Sequence, residues 1–349
     1  MVLSEENVRD ILKKVKYPGF SRDIISFGLV KEIAPQNDSC AVTMSLTTAD
    51  PKMADQIKRE SEEVLRQFGG FKHVTVTVNL QSATAPTFQP KRESGIKHSI
   101  AVASGKGGVG KSTVAVNLAI ALSQLGHPQE GAGARVGLMD CDIYGPSTPL
   151  MMNVQTPPTT TNDKIDPIVS YGVKLISMGF LVDPASAVVW RGPMVTRTVQ
   201  QFVHSVNWGE LDYVVIDLPP GTGDIQLSLC QTLQLSGAVM VTTPQEVALI
   251  DVRKATAMFQ KVNVPILGII ENMSYFLCPS DGKRYDIFGS GGGQKEATRL
   301  GVPLLGQIPI EMAIREGGDQ GKPVMVADAK SGSGKAFLQA AETLRKKLP

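Results

Sequence analysis

The sequence is short of aromatic side chains, of cysteine and histidine, and of net charge. Each shortage removes a class of protein. Aromatics make up 5% of the chain and hydrophobic residues 42%. A core without large rings is built from Val, Ile, Leu and Ala packed close to Gly, a composition that fits an α/β fold. Four cysteines, Cys40, Cys141, Cys230 and Cys278, in 349 residues argue against a disulfide framework, and none stands in a C-x-x-C pair. The four histidines, His73, His98, His127 and His204, show no metal-ligand spacing. A net charge of +2 demands neither nucleic acid nor an acidic membrane as partner. No apolar run approaches the roughly 18 residues that cross a bilayer. The start, MVLSEENVRDILKKV, carries acids early and lacks an apolar core, so it does not read as a secretory signal. The expectation is a cytoplasmic protein with no nucleic acid and no membrane as partner.

What is present divides in two, as the length suggests at about 100–200 residues per domain. Residues 1–85 read as a small α+β domain. Val8, Ile11, Leu12 and Val15 recur at helical spacing. Residues 24–33 and 41–46 read as strands around the turn-like APQND of 34–38, residues 53–68 as a helix, and HVTVTVNL of 73–80 as a half-buried strand. Residues 86–97 are polar and proline-containing and read as a linker. From 98 to 349 the pattern alternates. Strands are expected at 98–104, 135–139, 212–216, 237–241 and 266–270, with helices between several of them, the first at 114–125. Such alternation predicts a mainly parallel sheet with helices on both faces.

The first of these strands runs into Gly105-Lys106-Gly107-Gly108-Val109-Gly110-Lys111-Ser112, a full match to G-x-x-x-x-G-K-[ST]. Strand, glycines and helix together form the phosphate-loop context. The glycines let backbone N–H groups, including that of Val109, turn toward phosphate oxygens at a helix N-terminus. Lys111 is expected on the β- and γ-phosphates of ATP, Ser112 on Mg²⁺ and Thr113 on the α-phosphate. Two strands end in carboxylates. In LMDCD, Asp142 is the candidate to orient the attacking water and Asp140 to support Mg²⁺ or the lysines. YVVID places Asp217 at a Walker B position for the Mg²⁺ shell, ahead of the switch-like LPPGTGD. Acids at strand ends also serve as helix caps, so that reading stands beside each of them. Asn272, ending a further strand, has an amide suited to the adenine edge or to capping a turn.

Residues 105–113 (GKGGVGKST), 140–147 (DCDIYGPS), 190–194 (WRGPM), 217–224 (DLPPGTGD), 242–249 (TTPQEVAL) and 271–276 (ENMSYF) resemble the Mrp/ApbC group of deviant P-loop ATPases. The first 85 residues resemble, more weakly, the iron–sulfur-assembly domain often fused in front. The resemblance implies a slow homodimeric ATPase that takes clusters from donors and delivers them to apoprotein clients. It implies that Lys106 crosses to the partner's nucleotide as a trans-acting cation, catalytic beside Lys111 and Asp142. It also implies a [4Fe–4S] cluster on C-P-x-C cysteines. Here the segment reads Cys278-Pro279-Ser280-Asp281, so Cys278 is the one cluster thiolate offered. Asp281 reads as a turn former before Gly282, or as a second ligand. Asp50 likewise stands where the front domain usually has cysteine. Cys40, Cys141 and Cys230 read as packing residues. Two other readings stay open: a ParA/MinD-like positioning ATPase, which would need the C-terminal segment 335–348 as a membrane helix, and a nucleotide-gated adaptor without a cluster.

Overall fold

The computed structural model describes residues 4–16, 23–25, 29–48, 51–82, 95–126, 133–181 and 192–348. The chain divides into two compact units, Met1–Pro90 and Lys91–Pro349.

In the first unit, helix α1 (Glu5–Leu12) opens behind a Ser4 cap whose hydroxyl bonds Asn7. Strand β1 (Val30–Gln36) pairs antiparallel with β2 (Ser39–Thr48). Helix α2 (Pro51–Gly69) then crosses over to β3 (His73–Ser82), parallel to β2. Val8, Leu12, Met44, Ile57, Leu65 and Val76 form the core. The turn expected at 34–38 is shorter: Pro35 lies within β1, opposite Cys40, and Asn37 turns the chain at φ 39°. Proline is tolerated there because β1 is an edge strand.

The second unit starts with β4 (Ile96–Ser104). Ile96 and Lys97, read above as the end of a linker, are its first residues. The Lys97 ammonium that made them look like linker pairs with the buried Asp212 at 2.9 Å. Then come α3 (Lys111–Gln124), β5 (Val136–Asp140), α4 (Thr148–Met151), the hairpin β6 (Thr159–Thr161) and β7 (Lys164–Asp166), β8 (Ile168–Ser170) and β9 (Val173–Ser177). Helix α5 (Gly192–His204), β10 (Leu211–Asp217), α6 (Asp224–Thr232), β11 (Gly237–Thr242), α7 (Glu246–Lys261) and β12 (Ile266–Glu271) continue the alternation. The hairpin β13 (Phe276–Leu277) and β14 (Arg284–Tyr285), α8 (Gly292–Leu300), β15 (Leu304–Gln307), α9 (Met312–Asp319), α10 (Val324–Ala327) and α11 (Gly332–Arg345) finish it.

Eight strands form one sheet in the order β15-β12-β11-β4-β10-β5-β9-β8, parallel except for β8 at the edge. Period-two alternation sends Ile100 and Val102 of β4 to one face and Ala101 and Ala103 to the other. The first face is covered by α3, α10 and α11, the second by α5, α6 and α7. Helix α3 is buried nearly all round, and side chains such as Val114, Leu118 and Ile120 each contribute about 1.5–3 kcal/mol of burial. Helix α11 lies over α3, with Phe337, Ala340, Ala341 and Leu344 fully buried. Its apolar stripe is therefore used in the core and is not free to lie on a membrane. No helix among the described residues is long and apolar enough to cross one.

Because the central strands are parallel, their carboxyl ends point one way. The loops after β4, β5, β10, β11 and β12 emerge at that edge, where open α/β sheets place their ligands.

Candidate functional site

The loop after β4 is shaped by close approach on one side and open space on the other. A side chain at Gly105 would run into the backbone of Asp251 and Val252 on α7. Gly108 (φ 80°) and Gly110 (φ 79°) hold left-handed conformations that glycine adopts without strain. A Cβ at Gly107 or Gly108 would meet nothing within 4 Å. Gly110 is the N-cap of α3 and no side chain caps that end. The first-turn N–H groups and the helix dipole are thus presented to an anion. Lys106 is half-buried and, among the described residues, makes no ion pair, while its carbonyl accepts from Ser104 Oγ at 2.9 Å.

Lys111 points back across the strand ends. Its Nζ lies 2.6 Å from Asp217 Oδ1, 3.4 Å from Asp142 Oδ2 and 3.3 Å from Ser112 Oγ. Burial disfavours its charge, but Asp217 and Asp142 outweigh that and hold its pKa above the ordinary lysine value. Asp217 is fully buried. Burial raises its pKa, against the pull of Lys111 and the Ser112 hydroxyl. Its Oδ2 has no hydrogen-bond partner. A buried carboxylate oxygen without a donor, beside a serine hydroxyl, suits a hydrated divalent cation. Ser112 and Asp217 therefore fit Mg²⁺.

Asp142 and Asp140 differ in what they face. Asp142 Oδ1 accepts from the N–H groups of Tyr144 and Gly145, at 3.2 and 3.3 Å, which leaves Oδ2 toward Lys111. Asp140 Oδ1 accepts from the Asp142 N–H at 3.0 Å, and Oδ2 from Ser177 Oγ at 2.8 Å. Asp140 thereby fixes the loop that aims Asp142. Full burial, and then the charge of Asp217, push its pKa up to about 7. Cys141 between them is buried, as are Cys40 and Cys230. Burial drives the Cys141 thiol well above its ordinary value, so it stays protonated.

At the end of β12, the Asn272 amide donates to the Val109 carbonyl inside the phosphate loop, at 2.9 Å. In this structure, that side chain braces the loop. Beside it stands Glu271, wholly buried, which sequence reasoning missed. Its Oε1 accepts from Ser274 Oγ (2.6 Å) and Gln307 Nε2 (2.8 Å), and its Oε2 from the Gly293 N–H (2.5 Å). A glutamate closing an apolar strand, three residues before a serine, was the available signal. Ser177, at the end of β9, was missed with its strand. The alternation in VKLIS could have revealed both.

Cys278 is carried separately, on the β13–β14 hairpin. Its N–H donates to the Lys283 carbonyl, and its carbonyl accepts from the Gly282 N–H. The half-buried thiol lies 3.0 Å from Ser280 Oγ. Asp281 Oδ1 accepts from the Lys283 N–H at 3.0 Å. That bond, with one from Cys278, holds its carboxyl below the usual range. This is a turn-forming role. Among the described residues of one chain, no three His, Cys, Asp or Glu side chains gather as a metal-holding group. Asp50, Trp190 and Arg191 lie outside the described residues.

Residues 95–345 match the family model described as ParA, NUBPL iron-transfer P-loop NTPase. Residues 5–78 match the iron–sulfur cluster assembly protein model. An iron–sulfur cluster carrier protein of Synechocystis sp. is 41% identical over 99% of this chain and 98% of its own length. Among solved structures, the nucleotide-binding protein of Archaeoglobus fulgidus in complex with ADP is 35% identical, with a TM-score of 0.60 over 69% of this chain and 92% of that one. The cell division ATPase MinD of Pyrococcus furiosus is 27% identical, with a TM-score of 0.55 over 72% of this chain and 99% of that one.

Proposed function

The chain belongs to the NUBPL-type iron-transfer P-loop NTPases, with an iron–sulfur cluster assembly domain in front, and on that premise we propose that it is an ATP-driven carrier of iron–sulfur clusters. It binds ATP with Mg²⁺, hydrolyses it slowly as a homodimer, and passes a cluster from donor proteins to apoprotein clients. The observation that carries the nucleotide half is the buried set of Lys111, Asp142 and Asp217 facing an uncapped helix N-terminus. The names of the relatives carry the cluster half.

Lys111 is held by carboxylates that a triphosphate would replace. On binding, its ammonium leaves Asp217 for the β- and γ-phosphates, and the backbone N–H groups of residues 107–113 take the phosphate oxygens. Ser112 and Asp217 would hold Mg²⁺, which neutralises charge on the phosphates. Asp142 loses its lysine contact, and its free Oδ2 can orient the attacking water. Asp140 acts through Asp142, by fixing its loop. Lys106, which makes no ion pair among the described residues, reaches the γ-phosphate of the second protomer, adding positive charge as the bond to the leaving group breaks. Asn272 exchanges the Val109 carbonyl for the adenine edge.

Cys278 is the thiolate offered to the cargo, and a second protomer brings another. With Asp281 committed to its turn, two chains present two thiolates where a fully thiolate-bound cluster takes four. A cargo held by so few soft ligands is weakly retained, which suits a protein that passes it on.

The test is Lys106→Ala. The variant is expected to bind ATP as the wild type does and to lose hydrolysis. Full turnover in that variant would refute the trans-acting lysine.

A further inference from the structure

Two neighbouring residues at the end of β12 face opposite ways. Asn272 Nδ2 donates to Val109, the residue between two left-handed glycines of the phosphate loop. A Cβ on Gly110 would fall on that same amide, so loop and side chain fit with no slack. Glu271 faces the other way and grips both ends of the segment that carries Cys278. Its carboxylate takes the Ser274 hydroxyl where the segment leaves β12, and the Gly293 N–H where it enters α8. Gln307 on β15 ties the same carboxylate to the sheet. Between Asn272 and Ser274, Met273 has φ 53°, a left-handed conformation that costs any residue but glycine. From there the chain runs along residues 308–310, where Ser274 N–H donates to Ile308 and Ile310 N–H to the Tyr275 carbonyl, and then enters the hairpin.

We propose that Glu271 and Asn272 form the mechanical link through which the phosphate loop controls the hairpin bearing Cys278. The link rests on the nucleotide reading above. It does not pass through the switch-like loop after Asp217. When the loop closes on phosphate, the Val109 carbonyl turns and Asn272 must change partner. Asn272 and Glu271 share one backbone junction, held by the Asn272 N–H on Thr242 and the Ile308 N–H on Glu271. The strained turn at Met273 is where the change is absorbed. Glu271 then sets how firmly the hairpin root is held. A buried carboxylate satisfied by three donors has two distinct states, gripped or partly released, which is what coupling between sites requires.

Cys278 reports on this link without any cluster. The other three cysteines are buried, so a thiol reagent added to the native full-length protein reads Cys278 alone, and Cys278→Ser supplies the blank. Saturating non-hydrolysable ATP analogue with Mg²⁺ is expected to accelerate labelling by about fivefold, the factor that one net hydrogen bond carries. Asn272→Ala should label at one rate with or without nucleotide. Glu271→Gln places an amide N–H against a donor. It should label fast in both conditions, and the milder Ser274→Ala should fall between it and the wild type. Nucleotide binding is measured separately with a fluorescent analogue. Wild type that binds the analogue but labels at an unchanged rate would overturn the link and leave the nucleotide reading intact. So would Asn272→Ala with the full response at saturation. Wild type that binds no nucleotide would overturn both.

Discussion

Replacing Lys111 by Met leaves buried carboxylates without their cation. Asp217 is fully buried and Asp142 nearly so, and Lys111 lies 2.6 and 3.4 Å from them. Water screens none of these groups well, so the buried-pair value applies: breaking such a pair from one side costs about 3–5 kcal/mol. In a unit of this size about 1 kcal/mol moves the melting point by about 2–4 °C, so the nucleotide-free variant should melt roughly 10 °C below wild type. The deficit should depend on pH. Burial already raises the pKa of Asp217, and loss of Lys111 raises it further. An acid whose folded pKa lies above its unfolded value lowers stability as pH climbs between the two and ceases to cost anything below the unfolded value. The deficit should therefore be larger at neutral pH than in acid, where Asp217 takes up its proton. Adding Asp217→Asn to Lys111→Met should recover part of the loss, because the stranded charge is gone. Scanning fluorimetry or calorimetry without nucleotide reads all three. A single variant melting within about 2 °C of wild type would refute the reasoning, and so would a deficit equal at neutral pH and in acid.

Two more outcomes follow from the same cluster. Asp140 titrates at about 7 in the fold against 3.8 as its ordinary value, so it lowers stability progressively as pH rises across that window. Asp140→Asn should remove that slope, and melting curves for variant and wild type that stay parallel from acid to neutral pH would contradict the assignment. Gly110→Ala meets both a left-handed backbone and the Asn272 amide. It should abolish nucleotide binding, measured by calorimetric titration, while leaving the helical circular dichroism intact.

The phosphate loop was legible because its meaning is local: glycines, a lysine and a helix start lie within nine consecutive residues. The parallel sheet was legible because five of its strands are short apolar runs. Strand β1 was misplaced because Pro35 reads as a turn residue unless the strand is known to lie at an edge. Lys97 read as linker because its partner, Asp212, is far along the chain. The grip of Glu271 was hidden for the same reason, although a glutamate at a strand end could be seen. Its role depends on Ser274, Gly293 and Gln307 meeting around it, and only folding brings them there. Asp140 was legible as an acid at a strand end, but not as the residue that holds Asp142, because Ser177 arrives on another strand.

The carrier role itself is tested most directly by anaerobic reconstitution with iron and sulfide, beside Cys278→Ala. The account predicts a visible chromophore with about two to four irons per dimer, lost in the variant. No chromophore with ATP binding intact, or one unchanged by Cys278→Ala, would contradict it.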